Sequence, residues 1–106
     1  MFVIKILPEP ISFEWDKGNI DKNLKKHNVS DKEAEQAFND ESKFIFEDEE
    51  HSDKEMRYAL FGKSDKGRKL SIVLTIRNDK LRIITARDMS KKERRDYEEI
   101  KKNTNI

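Results

Sequence analysis

LSIVLTIRNDKLRIITAR, residues 70–87, is the stretch that decides the fold of this chain. Apolar and polar side chains alternate on both sides of Asn78-Asp79, and a period of two is typical of β-strands. Asn and Asp suit the two central positions of a primed turn, so the stretch predicts a β-hairpin with Arg77 opposite Lys80. The same register pairs Ile76 with Leu81, Thr75 with Arg82 and Leu74 with Ile83.

This hairpin has one apolar face and one charged face. The apolar face, which we expect to be buried beneath helices, is made of Ile72, Leu74, Ile76, Leu81 and Ile83. The charged face carries Thr75, Arg77, Lys80 and Arg82 toward the turn, and Val73 and Ile84 at its middle. We expect this second face to stay open to a ligand. Strand parity places Arg87 on the side of the buried face, and therefore at an end of the sheet.

Shorter signals predict the elements around the hairpin. Alternation at Ile11, Phe13 and Trp15 predicts a strand, and Ile20, Leu24 and His27 fall on one face of a short helix. The capping boxes Ser30-Asp31-Lys32-Glu33 and Ser90-Lys91-Lys92-Glu93 predict where a second and a last helix begin. Further strands are predicted at residues 43–47 and 57–61. The result is an α+β fold: a mainly antiparallel sheet of four to five strands, with two N-terminal helices and one C-terminal helix.

The length of 106 residues predicts one domain. We place it at residues 11–100, after an arm or edge strand at residues 1–10 and before a frayed tail at residues 101–106. The apolar run at residues 2–7 is too short to span a membrane, so we expect no membrane contact. The chain has no cysteine, which excludes a disulfide framework, thiolate catalysis and Cys-ligated zinc, and favours a cytoplasmic protein.

The charge of the chain is divided unevenly along its length. Residues 57–106 contain 15 Lys and Arg against 7 Asp and Glu, a formal charge of +8, whereas residues 1–56 contain 8 against 15, or −7. A cationic half of this size indicates a phosphate-bearing or other polyanionic partner, and RNA is the partner that we predict. The alternative interpretation is a charged surface that only contacts water.

Cleavage of RNA without a metal needs a proton acceptor, cations near the phosphate and a proton donor. Histidine has an unperturbed pKa of about 6.5, which makes His27 a candidate for proton transfer, unless it only packs at the end of the first helix. Arg57, Arg77 and Arg82 are expected on the open face, where guanidinium groups bind phosphate with bidentate geometry. The alternative for each arginine is an ion pair with a carboxylate of the chain.

The last helix extends the cationic region through Arg94 and Arg95. Tyr97 on the same helix is interpreted either as a core residue or as a proton donor. The acidic loop at residues 47–53 lacks the glycine of an EF-hand, and Ala59 stands where the closing glutamate would be. We therefore predict no metal site and no cofactor.

Short blocks of sequence in a fixed order resemble the BrnT family of toxin proteins. In the first half these blocks are Phe13-Glu14-Trp15-Asp16, Asn23-Leu24-Lys25-Lys26-His27-Asn28-Val29-Ser30, Glu33-Ala34 and Ala37-Phe38. In the second half they include Glu55-Met56-Arg57-Tyr58, Thr75-Ile76-Arg77, Arg82-Ile83-Ile84-Thr85-Ala86-Arg87 and Glu93-Arg94-Arg95-Asp96-Tyr97. The resemblance runs from about residue 11 to residue 99.

The resemblance implies a RelE-like ribonuclease toxin of a type II toxin–antitoxin pair, which cleaves RNA and halts translation and growth. Its partner would be a BrnA-like antitoxin with a ribbon-helix-helix part, and operator DNA would be bound only through that antitoxin. The site residues that we predict on this basis are, for catalysis, His27, Arg57, Arg77, Arg82 and Tyr97. The resemblance also predicts that Lys26 and Arg87 contact RNA, and the distribution of charge adds Lys80, Arg94 and Arg95 as predicted RNA contacts.

Two positions depart from the family pattern. Asn28 replaces a glycine that ends the first helix, a mild change because asparagine tolerates the left-handed conformation. Asn19 replaces a lysine, which removes one expected cationic contact. This second departure motivates the alternative function of a non-catalytic module that binds the antitoxin and RNA. A DNA-binding regulator acting alone is disfavoured, because the last helix has no evident helix-turn-helix partner.

Overall fold

The computed structural model describes residues 12–48 and 55–104. In chain order its elements are β1 (Ser12–Phe13), α1 (Lys22–His27), α2 (Asp31–Phe38), β2 (Phe44–Glu47), β3 (Arg57–Lys63), β4 (Lys69–Arg77), β5 (Lys80–Asp88) and α3 (Lys91–Thr104). This is the predicted order of elements. The predicted arm at residues 1–10 lies outside the described residues. The last helix continues past residue 100, where we placed the end of the domain, to Thr104.

The five strands form one sheet in the order β1-β5-β4-β3-β2. Strands β2 to β5 pair antiparallel with their neighbours, whereas β1 runs parallel to β5. The sheet is therefore mixed: three of its four strand pairs are antiparallel, in line with the expected mainly antiparallel sheet, and the pair of β1 and β5 is parallel. A parallel pair needs a long connection between its strands, and here the two helices and β2 to β4 provide it.

The hairpin of β4 and β5 has the predicted register beside its turn. Arg77 pairs with Lys80, Ile76 with Leu81, Thr75 with Arg82 and Leu74 with Ile83. The φ angles of Asn78 and Asp79 are 50° and 63°, so both residues adopt the left-handed conformation that a type I′ turn requires. The local sequence therefore predicted this turn correctly.

A β-bulge interrupts the hairpin at Ile84, five residues after the end of the turn at Asp79. Val73 pairs with Thr85 while the next residue, Leu74, pairs with Ile83, so Ile84 is an extra residue in β5. One extra residue moves every later side chain of that strand to the other face of the sheet. Arg87 consequently pairs with Ser71 on the charged face, and its predicted placement with the buried face was wrong.

Helices cover both faces of the sheet, but to different extents. Helices α1 and α2 lie over the apolar face, where the core consists of Val29, Ala34, Ala37, Ile45, Leu60, Leu70, Ile72, Leu74, Leu81, Ile83 and Ala86. Helix α3 lies over one end of the charged face and buries Phe44, Phe46, Phe61, Met89 and Tyr97. The charged face is therefore open only toward the turn of the hairpin, rather than over its whole length as expected.

Helix α1 presents to the core a different face from the one that we predicted. Asn19 and Asn23 are 2% and 3% exposed, whereas Ile20 and Leu24 are 50% and 43% exposed. The Asn19 side chain donates hydrogen bonds to the carbonyls of Glu14 and Ile83 and accepts one from the Asp16 amide. These bonds join the loop to β5, which is why the asparagine and not its apolar neighbour lies inside.

The ends of the first two helices follow the predicted chemistry. Asn28 ends α1 with a φ of 57°, and its amide donates to the carbonyl of Leu24. The Ser30 hydroxyl accepts a hydrogen bond of 3.0 Å from the Glu33 amide at the start of α2. Among the described residues, no helix is both long and apolar enough to cross a membrane.

Candidate functional site

Three arginines lie together on the open part of the charged face. Arg57 on β3 and Arg82 on β5 are both paired with Thr75 on the strand between them. Their backbones are about 10 Å apart, twice the usual separation of neighbouring strands. Arg77 lies two residues beyond Thr75 on β4 and therefore points to the same side. We call Arg57, Arg77 and Arg82 the arginine row.

Thr75 holds the centre of this row in place. Its side chain is fully buried, and its hydroxyl donates a hydrogen bond of 2.8 Å to the carbonyl of Met56. That bond ties β4 to the residue that precedes Arg57. The hairpin register predicts that Thr75 lies on this face, but a threonine in a strand carries no local sign of a contact with Met56.

Carboxylates of the chain already contact the arginine row. Arg82 donates to both oxygens of Asp16 at 2.7 and 2.9 Å and to Glu14 at 3.2 Å. Arg77 makes a bidentate pair with Glu55 at 2.7 and 2.9 Å. The alternative that we considered for these arginines, ion pairs within the chain, is therefore present for both. A phosphate that enters the site has to compete with these carboxylates.

The arginines keep these carboxylates ionised. Hydrogen bonds from Arg82, supplemented by one from the Gly18 amide, lower the pKa of the Asp16 carboxyl to about 2. The hydrogen bond from Arg77 likewise lowers the pKa of Glu55 below its ordinary value. Both carboxylates are thus charged at neutral pH and offset part of the positive charge of the row.

Gly18 makes room for the Arg82 guanidinium, a role that the sequence analysis missed. A Cβ atom at position 18 would lie 2.5 Å from Arg82 Nη2 and 3.2 Å from Asp16 Oδ1. The Gly18 amide also donates to the same Asp16 oxygen at 2.8 Å. In the sequence, a glycine beside an acidic residue indicates only a turn. The role of Gly18 depends on its contact with Arg82 of β5, which is distant in the chain and therefore not visible in the local sequence.

His27 does not lie beside the arginine row. It ends α1, on the helical side of the sheet, and its carbonyl accepts a hydrogen bond from Arg68. The electrostatic influence of His27 is felt by Asp88, at the far end of β5. Asp88 lies six residues from Arg82, or about 20 Å along a strand. The structure therefore separates the predicted histidine from the predicted phosphate-binding residues.

Tyr97 is a residue of α3, and its side chain packs between that helix and the sheet, on the same side of the sheet as the arginine row. Its side chain is fully buried, and its ring packs edge-on against Phe44 with ring centres 5.5 Å apart. Burial, with the nearby charges of Asp40 and Glu98, raises the pKa of the Tyr97 hydroxyl to about 12. Of the two interpretations of Tyr97, this environment is that of a core residue.

The remaining predicted RNA contacts are spread over three parts of the surface. Arg87 at the end of β5 makes a bidentate pair with Glu93 of α3, at 2.7 and 3.0 Å. Arg94 and Arg95 are exposed on α3, Lys80 is exposed at the hairpin turn and Lys26 is exposed on α1. Only Lys80 joins the arginine row; Lys26 belongs to the opposite, helical side.

Glu93 is the residue through which Arg87 holds the start of α3. Besides Arg87, it accepts hydrogen bonds from the Ser90 amide and the Ser71 hydroxyl. Burial alone would raise the pKa of Glu93, but the bonds from Arg87 and Ser90 outweigh it and keep the pKa below the ordinary value. The capping box predicted at Ser90 is therefore present, and Arg87 of β5 adds two hydrogen bonds to its Glu93 carboxylate.

Arg68 is a structural arginine that the sequence analysis did not single out. It donates to Asp88 at 2.6 Å, to Glu33 at 3.0 Å, and to the carbonyls of His27 and Asn28 at the end of α1. One guanidinium thereby joins both N-terminal helices to β5. No local pattern reveals such a residue, since its partners lie 20 to 41 positions away in the chain.

Within residues 12–48 and 55–104, no group of three or more His, Cys, Asp or Glu side chains is arranged to hold a metal ion. Residues 49–53, which are most of the acidic loop that raised the question, lie outside these ranges.

The fold and the arginine row define a small α+β protein with a mixed sheet, one face of which carries clustered arginines and carboxylates. Residues 15–93, or 79 of the 106 residues, match the family described as "Ribonuclease toxin, BrnT, of type II toxin-antitoxin system". The chain belongs to this BrnT family, which confirms the resemblance found in the sequence. No curated protein matches the chain closely enough to count as a relative. Membership of the family implies an RNA substrate and an antitoxin partner.

Proposed function

We propose that this chain is a RelE-like endoribonuclease toxin that cleaves RNA without a metal cofactor and so inhibits translation and growth. The observation that carries the proposal is the row of Arg57, Arg77 and Arg82 across three neighbouring strands of a ribonuclease toxin. Its partner in the cytoplasm is a BrnA-like ribbon-helix-helix antitoxin, through which the pair binds operator DNA.

In this proposal the arginine row binds the phosphate that is cleaved. Guanidinium groups make two parallel hydrogen bonds to phosphate oxygens, and they stabilise the negative charge that grows when the 2′-hydroxyl attacks phosphorus. Arg57 and Arg82 approach from the two sides of Thr75, and Arg77 approaches from the hairpin end. Such an arrangement supplies positive charge at the reacting phosphate from the protein alone.

The carboxylates beside the row provide a route for the proton of the 2′-hydroxyl. Hydrogen bonds from Arg82 and Arg77 are the largest causes of the lowered pKa values of Asp16 and Glu55. When a phosphate takes over those arginines, the pKa of a released carboxylate returns toward its ordinary value, and the group becomes a better base. His27 lies too far from the row to accept this proton, and the Tyr97 hydroxyl is buried.

The experiment compares the native chain with an Arg57→Ala/Arg82→Ala variant expressed in bacterial cells. Growth is followed, and new RNA 5′ ends are mapped and sorted into 5′-hydroxyl and 5′-phosphate ends. We expect growth arrest and new 5′-hydroxyl ends with the native chain only. The matched control is Lys91→Ala/Lys92→Ala, which removes the same charge from exposed positions of α3.

A folded Arg57→Ala/Arg82→Ala variant that cleaves as well as the native chain would overturn the assignment of the arginine row. Circular dichroism and binding of the antitoxin show that each variant is folded. An Arg82→Lys variant separates charge from geometry, because lysine keeps the charge but not the bidentate contact. We expect Arg82→Lys to bind RNA but to cleave it at least about tenfold more slowly.

A second candidate function is a module that binds RNA and the antitoxin without cleavage. It is favoured by the ion pairs of Arg77 and Arg82 and by the distance of His27 from the row. This function predicts RNA affinity that falls steeply with salt, because phosphate contacts release counterions, and it predicts no new RNA ends. The mapping of 5′ ends in cells separates the two functions.

A further inference from the structure

The exposed side of α1 has the composition of a protein-binding surface. Ile20 is 50% exposed and Leu24 is 43% exposed. Ile20 lies in the turn before α1 and Leu24 in the helix, so both belong to the exposed side of one short segment of the chain. Isolated exposed apolar residues are common, but here the polar Asn19 and Asn23 face inward in their place.

Lysines surround these two apolar side chains. Lys17, Lys22, Lys25 and Lys26 are all exposed. Asp21 is the acidic residue within this segment, and Asp31 of α2 lies beside it, because its carboxylate accepts hydrogen bonds of 3.1 and 3.3 Å from the Asp21 amide. Residues 17–28 therefore carry four positive charges and one negative charge, a formal +3. This local charge contrasts with the −7 of residues 1–56, so the basic patch is not a consequence of the composition of its half of the chain.

A depression in the surface lies next to Leu24. Its volume is about 310 Å³, and it is lined by Leu24, Asn28, Ser30, Glu33, Lys66 and Arg68. The hydrogen bonds of Arg68 to α1, α2 and β5 hold the walls of this depression together. We refer to Ile20, Leu24, the four lysines and this depression as the α1 surface.

Helix α1 and the arginine row lie on opposite sides of the sheet, whereas Lys17 lies at the edge between them, because its neighbours Asp16 and Gly18 contact Arg82. Helix α1 packs over the apolar face, to which Leu81 and Ile83 of β5 belong, whereas Arg82 of the same strand points to the charged face. A molecule bound to the α1 surface leaves the arginine row accessible. Leu24 and Lys25 of the helix can therefore be mutated without changing a contact of the arginine row.

We propose that the α1 surface docks an acidic amphipathic segment of the antitoxin, an inference that rests on the proposed function. Two apolar side chains of the segment cover Ile20 and Leu24, one of them entering the depression, and its carboxylates face Lys17, Lys22, Lys25 and Lys26. Charge complementarity requires an acidic partner, and the apolar pair distinguishes a protein segment from RNA, which would use the lysines alone.

The test measures binding of the full-length chain to its antitoxin by titration calorimetry, with single variants of the α1 surface. Leu24→Glu removes apolar area and adds negative charge, and we expect it to weaken binding about 30-fold or more. Leu24→Lys removes the same apolar area but keeps the charge favourable, so we expect a loss of only about fivefold. Lys25→Glu should lose about fivefold, because it opposes the acidic segment.

Lys92→Glu on α3 is the matched control, since it reverses one exposed charge elsewhere, and it should stay within about twofold of the native chain. Equal binding by Leu24→Glu and the native chain would overturn the proposal. An equal loss of antitoxin affinity in Lys92→Glu and Lys25→Glu would also overturn it, because the net charge of the chain would then explain the loss. Leu24 is exposed, and thermal unfolding verifies that the variants keep their fold.

RNA cleavage distinguishes failure of this inference from failure of the proposed function. Leu24→Glu should still cleave RNA while the antitoxin no longer neutralises it efficiently. If Leu24→Glu instead loses RNA affinity, the surface binds RNA and the proposal is wrong. If the native chain self-associates and Leu24→Glu abolishes that association, the occupant is a second copy of the chain, which also overturns it. A native chain without ribonuclease activity contradicts the proposed function, whatever the antitoxin titration gives.

Discussion

Replacing Tyr97 with phenylalanine removes one oxygen atom from the core and leaves the ring in place. The Tyr97 hydroxyl is buried and has no hydrogen-bond partner among the described residues. A buried hydroxyl without a partner costs about 1–3 kcal/mol of desolvation free energy. Tyr97→Phe should therefore leave the free energy of unfolding unchanged or raise it by about 1 kcal/mol. For a chain of this length, that gain corresponds to a rise in Tm of about 4 °C.

The contacts of the Tyr97 ring set the opposite expectation for Tyr97→Ala. The ring packs against Phe44, and the amines of Lys69 and Lys101 lie 6.0 and 5.7 Å from its centre. Truncation of a buried aromatic side chain costs about 3–5 kcal/mol, so this variant should be partly or wholly unfolded at 37 °C.

Urea unfolding at pH 7, followed by circular dichroism and Trp15 fluorescence, measures both variants, and an unchanged m-value shows that the denatured state is comparable. A loss of more than about 1 kcal/mol in Tyr97→Phe would refute the reasoning, because the hydroxyl must then have a partner. RNA cleavage provides the second measurement. We expect Tyr97→Phe to cleave within about threefold of the native rate, whereas a loss of 100-fold with an intact fold would make Tyr97 a proton donor.

Three further predictions concern the charged contacts. The pKa of Asp16 in the folded protein is about 2, below its ordinary value, so the ionised carboxylate stabilises the fold above pH 4 and this contribution is lost as the pH falls toward 2. When Tm is measured against pH in acid, the Tm of Asp16→Asn should therefore fall less between pH 4 and pH 2 than the Tm of the native chain. Gly18→Ala should displace the Arg82 guanidinium and weaken RNA binding at least about fivefold, measured by fluorescence anisotropy, with little change in Tm. Arg68→Ala should lower the free energy of unfolding by about 2 kcal/mol in urea, because two carboxylates and two carbonyls lose their donor, while Arg68→Lys should recover part of it.

The hairpin was predictable because its information is local. Asn78 and Asp79 specify the turn, the turn specifies the register, and the register places Arg77 and Arg82 on one face with Arg57 beside them. The prediction failed beyond Leu74, because the residues around Ile84 carry no glycine or other sign of a bulge.

Helix α1 shows a different reason for failure. Periodicity predicts that the apolar Ile20 is buried, but Asn19 is buried instead, because its side-chain amide donates a hydrogen bond to the carbonyl of Ile83, 64 residues away in the chain. A hydrogen bond of such range is invisible to any local pattern. The carboxylate partners of the arginine row were unpredictable for the same reason, since Asp16 and Arg82 are 66 residues apart in the chain.

The extra residue in β5 changes how the spacing of this family should be interpreted. Arg82 and Arg87 are five positions apart, an odd number, and in an uninterrupted strand they would face opposite sides. With Ile84 inserted, both reach the side of the sheet that is proposed to meet RNA. Deletion of Ile84 would invert the second half of the strand, directing Arg87 toward the apolar face under α1 and α2 and Ala86 toward the charged face. In an alignment of relatives, a gap at this position is therefore more consequential than a substitution, because it exchanges the inner and outer surfaces of everything that follows in the strand.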